Sequence, residues 1–557
     1  MSGSRLLVLL TLLAGELSVG LAADPPTFAH DVAPILYLNC SPCHRPQETG
    51  PFSLLSYNDA RKWAGQIAAV THSRYMPPWL PEPGHGNFEG ERRLTDQEIR
   101  TIADWVAAGA PEGPAGETPK PPNFPTGWPM GAPDLILEAP ATYHVPASGP
   151  DVYWNFVLKP NQPVTRYVRA IEIRPGDRKL VHHANLLVDR WASSHLREAT
   201  PGGGFPGMNL EIMRSPFDPP GHLLFWKPGS VPHQEPEGLA WRLDPGDELV
   251  LNVHLHPSGK PEEIRPAIGL YFTDKAPTKL PLLVQMENDQ ALDVPPGAQD
   301  FEVKDDFRLT LDVDALAVYP HAHYLGKVLE AYATLPDGQR QWLIRIPDWN
   351  PDWQAVFYYR EPVFLPKGTV ISMRYRYDNS AANLRNPHQP PVRVESGDQS
   401  TDEMAHLWLE LLPRGPGDRR RELEEAVMRH RLEKNPKEFA ANFNLGAVML
   451  SRLNAAGAVG ALETAVAAEP SRPEARNMLG VALGRVGRNA EALAEFEIAV
   501  KLRPGYTAAR FNLADAQMKA GRLDDAISNL KLVVEANPSD PLPKRKLEEA
   551  LAAKTRR

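Results

Sequence analysis

The spacing of apolar residues changes twice along the 557-residue chain and divides it into three parts. In the middle part, short runs of Val, Ile, Leu, Tyr and Phe alternate with turn pairs such as Asp337-Gly338. Many short strands separated by turn signals are typical of antiparallel sheets rather than of a parallel sheet. The length of this part predicts two tandem antiparallel β-sandwiches, over residues 135–275 and 276–414.

A 34-residue period governs the last part of the chain, where proline recurs at matching places: Pro436, Pro470, Pro504 and Pro538. A period of this length, with small and apolar residues at fixed positions, is the tetratricopeptide signature of one helical hairpin per repeat. We therefore predict an α-α solenoid over 415–557, with three repeats in 436–537 and capping helices at 418–433 and 540–554. A concave surface of this kind would bind a protein partner; the alternative is a structural or dimerising appendage.

The first residues have the pattern of an export signal. An apolar run from Leu6 to Ala14 follows Arg5, and small residues lead up to Ala23. The run is shorter than the roughly 20 apolar residues that span a bilayer. We expect residues 1–23 to be a signal peptide, and the mature protein to be periplasmic or secreted and to have no membrane span.

Composition narrows the class of partner. The net charge is -9 and no long basic run occurs, so a nucleic-acid partner is not expected. The chain has 58 prolines, which favour loops, sheet edges and linkers over long helices. Residues 116–134 are dense in Pro and Gly, and we expect them to form a semi-rigid linker.

Both cysteines of the chain lie in one motif, Cys40-Ser-Pro-Cys43-His44. Cys-x-x-Cys-His is the spacing of covalent haem c attachment, in which two thiols bind the vinyl groups and the histidine binds the iron. A thioredoxin-like redox pair would need a βαβ pattern around it, and a zinc site would need a second Cys/His pair. The motif therefore predicts one covalent haem c.

The surroundings of this motif favour the same interpretation. Residues 28–115 resemble a small class of bacterial cytochrome c domains, in the segment Tyr75-Met76-Pro77-Pro78-Trp79 and in the closing amphipathic helix. That helix is preceded by a capping box formed by Thr95 and Glu98. The resemblance implies a small α-helical cytochrome c domain over 24–115.

Three residues compete for the sixth position on the iron. Met76 is our candidate, because a thioether opposite a histidine raises the reduction potential and suits electron transfer. His72 and His85 are the competing ligands.

Four separated motifs in the middle of the chain contain six potential metal ligands. They are Lys179-Leu-Val-His182-His183, Glu248-Leu-Val-Leu-Asn-Val-His254, His321-Ala-His323-Tyr-Leu-Gly-Lys327 and Ser400-Thr-Asp-Glu-Met404. In order and residue type they resemble the motifs of the copper type II, ascorbate-dependent monooxygenases, whose members hydroxylate peptidylglycine or dopamine. The resemblance covers roughly half of the chain.

This resemblance implies two copper ions, one held by three imidazoles and the other by two imidazoles and a thioether. In the family the first copper passes electrons, and the second binds and activates dioxygen beside the substrate. Imidazole suits copper, and a soft thioether favours Cu(I). The expected ligands of the first ion are His182, His183 and His254. The expected ligands of the second ion are His321, His323 and Met404, and these three are also the expected catalytic residues.

Strand geometry places a condition on the first site. Adjacent His182 and His183 point to opposite faces of a regular strand, so joint ligation requires a bulge or a strand end there. His254 and His256 share a face, which leaves His256 as a rival third ligand. The resemblance favours His254, because the Leu-Val-Leu-Asn-Val run before it aligns.

The chain departs from the family at three positions. Members that hydroxylate peptidylglycine anchor the substrate carboxylate with an Arg before the His-x-His motif and with Asn and Tyr after the Met. The corresponding residues here are Tyr319, His406 and Trp408. A neutral Tyr cannot form the bidentate, charge-assisted hydrogen bonds by which Arg binds a carboxylate. We therefore do not expect peptidylglycine to be the substrate.

Together these patterns predict a secreted haem- and copper-dependent monooxygenase that hydroxylates a C–H bond of a small organic substrate with O2. Electrons would pass from haem c through the first copper to the second. The alternative is a non-catalytic haem/copper electron carrier or binding protein whose partner binds the repeats.

Overall fold

The computed structural model describes residues 24–556 with these exceptions: 47, 115, 125–126, 191, 208–224, 231, 398 and 539. The expected signal peptide, residues 1–23, lies outside the described residues. The chain divides into two compact units. Unit one comprises Met1–Pro78 with Arg92–Phe124, and unit two comprises Trp79–Glu91 with Pro125–Arg557.

Unit one is made of short helices around an aromatic core. A π-helical turn, Phe28–Val32, leads into α1 (Ala33–Asn39), which is followed by α2 (Tyr57–Lys62), α3 (Ala64–His72) and α4 (Asp96–Ala107). The capping box expected from the sequence begins α4: the Thr95 hydroxyl accepts the Glu98 N–H, and the Glu98 carboxylate accepts the Thr95 N–H at 2.7 Å. Phe28 and Trp105 are fully buried and pack 6.2 Å apart between ring centroids.

The first β region of unit two contains two main antiparallel sheets. Its strands are β1 (Leu135–Glu138), β2 (Tyr143–Val145), β3 (Val152–Leu158), β4 (Arg166–Arg174), β5 (Val181–Asp189), β6 (Phe205–Pro206), β7 (Phe225–Trp226), β8 (Trp241–Leu243), β9 (Glu248–Leu255), β10 (Glu262–Ile264) and β11 (Ala267–Thr273). The sheets have the orders β1-β11-β4-β8 and β6-β3-β9-β5-β7, and side chains from both form one apolar cluster. Central strand β9 is buried along its whole length.

The second β region is also antiparallel. Its strands are β12 (Leu282–Glu287), β13 (Asp293–Val294), β14 (Phe301–Arg308), β15 (Val313–His321), β16 (Gly326–Thr334), β17 (Arg340–Ile346), β18 (Phe357–Leu365), β19 (Val370–Tyr377), β20 (Val394–Glu395) and β21 (His406–Pro413). Two four-stranded sheets have the orders β12-β21-β15-β18 and β14-β19-β16-β17, and β13 pairs with β20. The sequence-based expectation of antiparallel sheets in the middle of the chain is confirmed.

Residues Trp79–Glu91 fall within the range expected for the cytochrome c domain, yet they belong to unit two. Their aromatic side chains account for this placement, because Phe88 stacks on Tyr359 of β18 at 5.2 Å between ring centroids. The Glu82 N–H also donates to the Arg345 carbonyl of β17 at 2.8 Å. This segment therefore packs on the second β region.

The C-terminal part is helical, as the 34-residue period predicts. Its helices are α5 (Arg420–Lys434), α6 (Phe439–Ser451), α7 (Ala455–Ala468), α8 (Pro473–Arg485), α9 (Asn489–Leu502), α10 (Thr507–Lys519), α11 (Leu523–Ala536) and α12 (Pro541–Thr555). Glycine allows close packing within the hairpins, because a Cβ at Gly480 would lie 2.6 Å from the Phe496 ring. The apolar cluster of the second β region continues into these helices. Among the helices of the described residues, none combines the length and apolar composition needed to cross a membrane.

Candidate functional site

The first histidine set, which comprises His182, His183 and His254, lies on neighbouring strands β5 and β9. Their register shifts at this point: Val181 lies opposite Leu255, whereas His183 lies opposite His254. The shift is the bulge that joint ligation by adjacent histidines requires.

The bulge brings the ring nitrogens of this set together. The Nδ1 atom of His182 lies 3.2 Å from Nδ1 of His183 and 3.3 Å from Nδ1 of His254. Metal–imidazole bonds are about 2.0 Å long, and two such bonds at a tetrahedral angle place their nitrogens about 3.3 Å apart. The residues present therefore fit a metal ion bound by imidazole Nδ1 atoms.

Carboxylates engage the outer nitrogens of the same rings. His254 Nε2 donates to Asp151 at 3.0 Å, and His182 Nε2 lies 3.7 Å from Asp352. A carboxylate on the outer nitrogen orients an imidazole and selects the inner nitrogen as the ligand. Burial, with repulsion from His182 and His256, lowers the pKa of His254 to about 4, which keeps this ring in the neutral form that binds metals.

His256 stays a rival ligand. His182, His254 and His256 each offer a nitrogen within 4.8 Å of those of the other two. The carboxylate of Asp151 also holds His256, whose Nδ1 lies 2.9 Å from it. Four imidazoles thus gather at this place. Among the described residues, the group whose nitrogens all lie within 4.8 Å of one another contains both His254 and His256 but not His183, although Nδ1 of His183 lies 3.2 Å from that of His182.

The second histidine set, which comprises His321, His323 and Met404, lies where β15 ends and just before β21 begins. These two strands are neighbours, and His321 lies opposite His406 in their register. This pairing brings the His-x-His segment beside the segment that contains Met404.

One buried carboxylate joins these two segments. Glu403 is fully buried and accepts the backbone N–H groups of Met404 at 2.8 Å and of Leu325 at 3.0 Å, and also that of His323. Burial raises the pKa of Glu403 to about 8, although these hydrogen bonds favour the carboxylate. The backbone of the two ligand segments is therefore held around a single side chain.

The histidines of the second set are oriented by hydrogen bonds from their Nδ1 atoms. His321 Nδ1 donates to Gln354 Oε1 at 2.8 Å, and His323 Nδ1 donates to the Asp402 carbonyl at 3.1 Å. Burial lowers the pKa of His323, which favours its neutral form. This arrangement makes Nε2 the candidate ligand atom in both rings, in contrast to Nδ1 in the first set.

The three positions that depart from the resembled family form a buried aromatic group beside the second set. Tyr319 stacks on Trp408 at 5.3 Å between ring centroids, and its hydroxyl donates to Gln354 at 2.7 Å. His406 Nε2 donates to Asp289 at 2.7 Å. The Tyr319 side chain is thus occupied by internal contacts, and it lacks the charged guanidinium that an Arg would place at this position.

The residues that support the two sets are not predicted by the sequence patterns. Glu403 was visible beside Met404, but its role depends on the turn after β15. Asp151, Gln354 and Phe225 are distant in sequence from the ligands they approach; Phe225 lies 5.6 Å from His183 and 6.2 Å from Tyr319 between ring centroids. No local pattern marks these three residues.

The candidate haem site lies in unit one, where the Cys-x-x-Cys-His motif follows α1. The His44 N–H donates to the Cys40 carbonyl at 2.9 Å, and His44 Nδ1 donates to the Phe52 carbonyl at 3.2 Å, so Nε2 is the candidate iron ligand. No disulfide joins Cys40 to Cys43. A Cβ at Gly50 would lie 2.8 Å from the Cys43 carbonyl oxygen, so this close turn around the motif requires glycine. These residues fit covalent haem attachment.

The candidates for the sixth iron position differ in their surroundings. Met76 is half-buried just after α3, and its N–H donates to the Val70 carbonyl at 3.1 Å. His72 is exposed at the end of α3. His85 belongs to unit two, where its ring lies edge-on to Trp342 at 4.6 Å between centroids.

Comparison with known proteins identifies the C-terminal part. Residues 477–541 match the family model of the tetratricopeptide repeat. The crystal structure of YrrB, described as a TPR protein with an unusual peptide-binding site, is similar at 25% identity over 25% of this chain and 71% of its own, with a TM-score of 0.24. That of MamA is similar at 20% identity over 26% of this chain and 86% of its own, with a TM-score of 0.24. A search of the curated proteins found no match. The family match shows that the chain has tetratricopeptide repeats at its C-terminus.

Proposed function

We propose that the protein is an exported haem- and copper-dependent monooxygenase that hydroxylates a C–H bond of a small organic substrate with O2. When bound, haem c would supply electrons by way of the copper at the first histidine set, and copper at the second set would supply the chemistry with dioxygen. The corresponding architecture would be a cytochrome c domain within 24–115, without the segment Trp79–Glu91 that packs on the second β region, and two copper β-sandwiches over 135–275 and 276–414. The observation that carries this proposal is the approach of three imidazole Nδ1 atoms at the β5 bulge.

The first set would hold its ion through imidazoles alone. The bulge in β5 aligns His182 and His183, and the carboxylate of Asp151 fixes the ring of His254. The register between β5 and β9, with β9 buried along its whole length, sets the spacing of these nitrogens. A site whose geometry is already set changes little between oxidation states, which suits electron transfer.

The second set would hold its ion through two imidazoles and the thioether of Met404. The thioether favours Cu(I), the state that meets dioxygen. Glu403 holds the backbone on both sides of this site, and hydrogen bonds fix the rings of His321 and His323. The protein's own groups thus orient the ligands.

The substrate would be a molecule that needs no carboxylate anchor at the place used by peptidylglycine hydroxylases. Tyr319 occupies the position of the anchoring Arg, and it is buried between Trp408 and Gln354. The stacked rings of Tyr319 and Trp408 offer apolar surface and ring faces in place of the charged guanidinium of an Arg.

The repeats would bind a protein partner. Stacked helical hairpins present an extended concave surface, which proteins of this architecture use for binding. YrrB, to which the repeats are similar, is described as having a peptide-binding site. The tetratricopeptide repeats themselves are the ground on which we propose a protein partner for this surface.

Metal analysis and a visible spectrum of protein made in a haem-c-competent host test the cofactors together. We expect one haem and two coppers per chain, with O2 uptake that depends on substrate. One copper or none, with no O2 uptake, would instead support an electron carrier.

A further inference from the structure

A short segment between β17 and β18, Trp349 to Gln354, reaches both histidine sets; we refer to it as the 349–354 bridge. It contains a 3-10 turn, Pro351–Trp353, in which the Asn350 side chain accepts the Asp352 N–H at 3.0 Å. Trp349, Asn350 and Gln354 are buried. Proline and the capping asparagine restrict the backbone, so the bridge is a stiff turn whose two ends are buried.

The two ends of the bridge grip the His-x-His segment of the second set. Trp349 Nε1 donates to the carbonyls of Ala322 and His323 at 3.1 and 3.2 Å. Gln354 Oε1 accepts from His321 Nδ1 at 2.8 Å. One histidine is thus held through its backbone and the other through its ring.

The middle of the bridge faces the first β region. Asp352 Oδ1 lies 3.7 Å from Nε2 of His182, and the Trp353 carbonyl accepts from Lys227 Nζ at 2.9 Å. Lys227 directly follows β7, which pairs with β5 beside the bulge. Asp352 and Gln354 are two residues apart, yet they approach ligands of different sets.

We propose that the 349–354 bridge is a positioning element that fixes the two copper sites relative to each other. Gln354 orients His321, Asp352 orients His182, and the stiff turn between them sets the spacing of the sites. This inference rests on the proposed function, because it assumes that both sets bind copper. A constant distance between the two sites matters for electron transfer, because the copper that donates the electron and the copper that accepts it then keep the same relative placement through each turnover.

Copper binding alone provides the first test, because outer partners of a metal-binding histidine affect affinity directly. Gln354→Met removes the acceptor but keeps the side-chain length, and the affinity of the second site for Cu2+ should fall about tenfold. Gln354→Glu keeps an acceptor oxygen and should restore most of that affinity. Asp352→Ala should weaken the first site by less, since its carboxylate is exposed and 3.7 Å away. Asp300→Ala, which removes an exposed partner of Arg376, is the matched control and should change neither site.

Dipolar electron paramagnetic resonance between two bound Cu2+ ions tests the spacing itself. The wild type and Asp300→Ala should each give one narrow distance distribution, and the Gln354→Met/Asp352→Ala double variant a broader one. The haem is present in every variant and contributes the same background. If Gln354→Met does not fold, as judged by circular dichroism, Asp352→Ala alone should still broaden the distribution.

The outcomes distinguish a failure of the bridge's positioning role from a failure of the proposed copper-dependent function. A double variant that binds two coppers with wild-type affinity and an unchanged distance distribution overturns the positioning role of the bridge. A wild-type protein that binds fewer than two coppers overturns the proposed function instead, whatever the variants do.

Discussion

The two histidine sets are assembled in opposite ways. In the first set the candidate ligand atoms approach one another directly, with Nδ1 atoms 3.2 and 3.3 Å apart on neighbouring strands. In the second set the rings are held from outside, by Gln354 and by the Asp402 carbonyl, and Glu403 holds the backbone. In the first set, sheet register brings the ligand atoms themselves together. In the second set, register brings only the two segments side by side, and polar side chains in loops orient the rings.

The two sets should differ in how well they tolerate single substitutions of neighbouring residues. Backbone hydrogen bonds along a buried strand do not depend on any single side chain, so the first set should keep its shape when one neighbour changes. The second set depends on individual acceptors, whose loss leaves buried donors without a partner. We therefore expect single substitutions to damage the second set more than the first.

The largest effect is expected for Glu403→Ala. Three backbone N–H groups would lose their buried acceptor, and unsatisfied buried donors cost about 1–3 kcal/mol each, so the free energy of unfolding should fall by about 3 kcal/mol or more. Copper at the second set should be lost as well. Urea denaturation and metal analysis measure these changes, with exposed Glu395→Ala as the control. A loss of stability no larger than that of the control would contradict the central role of Glu403.

The corresponding change at the first set is Asp151→Ala, which removes the partner of His254 Nε2. Register should keep all three histidines in place, so the protein should still bind copper there, with an affinity about tenfold lower. Copper titration measures the change, and exposed Asp274→Ala serves as the control. Complete loss of the first copper would show that this set, too, depends on single side chains.

The second β region packs against the repeats through α5. Burial of Glu424 on this helix raises its pKa to about 8. Between its unfolded pKa and pH 8 the folded state binds more protons than the unfolded state, so stability is highest at low pH and falls as pH rises. From pH 5 to pH 8 the free energy of unfolding should drop by at least about 1.4 kcal/mol, the equivalent of one pKa unit.

Glu424→Gln should remove this part of the pH dependence, and Glu433→Gln, on the exposed face of the same helix, should retain it. Urea denaturation at several pH values, followed by tryptophan fluorescence, measures both. Identical pH profiles for wild type and Glu424→Gln would mean that α5 does not share the cooperative unfolding of the second β region.

The smallest effect is expected for Tyr319→Phe. The substitution removes the hydrogen bond to Gln354 and keeps the stack on Trp408, so it should cost about 1 kcal/mol of stability. Copper binding at the second set should remain, because Gln354 still accepts from His321. Thermal denaturation measures the loss. The control is Tyr332→Phe on β16, a tyrosine that lies edge-on to Trp342 and outside both histidine sets. Loss of copper would show that Tyr319 itself orients His321.

The features that could be predicted from the sequence are those with a local signal. The 34-residue period predicts the helical hairpins, and turn pairs predict short antiparallel strands. Joint ligation by the adjacent histidines requires a bulge or a strand end, and β5 has a bulge. The supporting residues carry no such signal, because Gln354 and Asp151 meet their histidines only through tertiary register. The packing of Trp79–Glu91 on the second β region likewise depends on aromatic contacts with distant strands.

The proposed passage of electrons from haem c through the first histidine set is tested most directly by stopped-flow oxidation of the reduced haem. Copper-loaded wild type and His182→Ala/His183→Ala are mixed with O2, and His144→Ala, which changes an exposed residue, is the control. We predict fast haem oxidation in the wild type and control, and slow oxidation with one copper fewer in the double variant. Equal rates in all three proteins would contradict the relay.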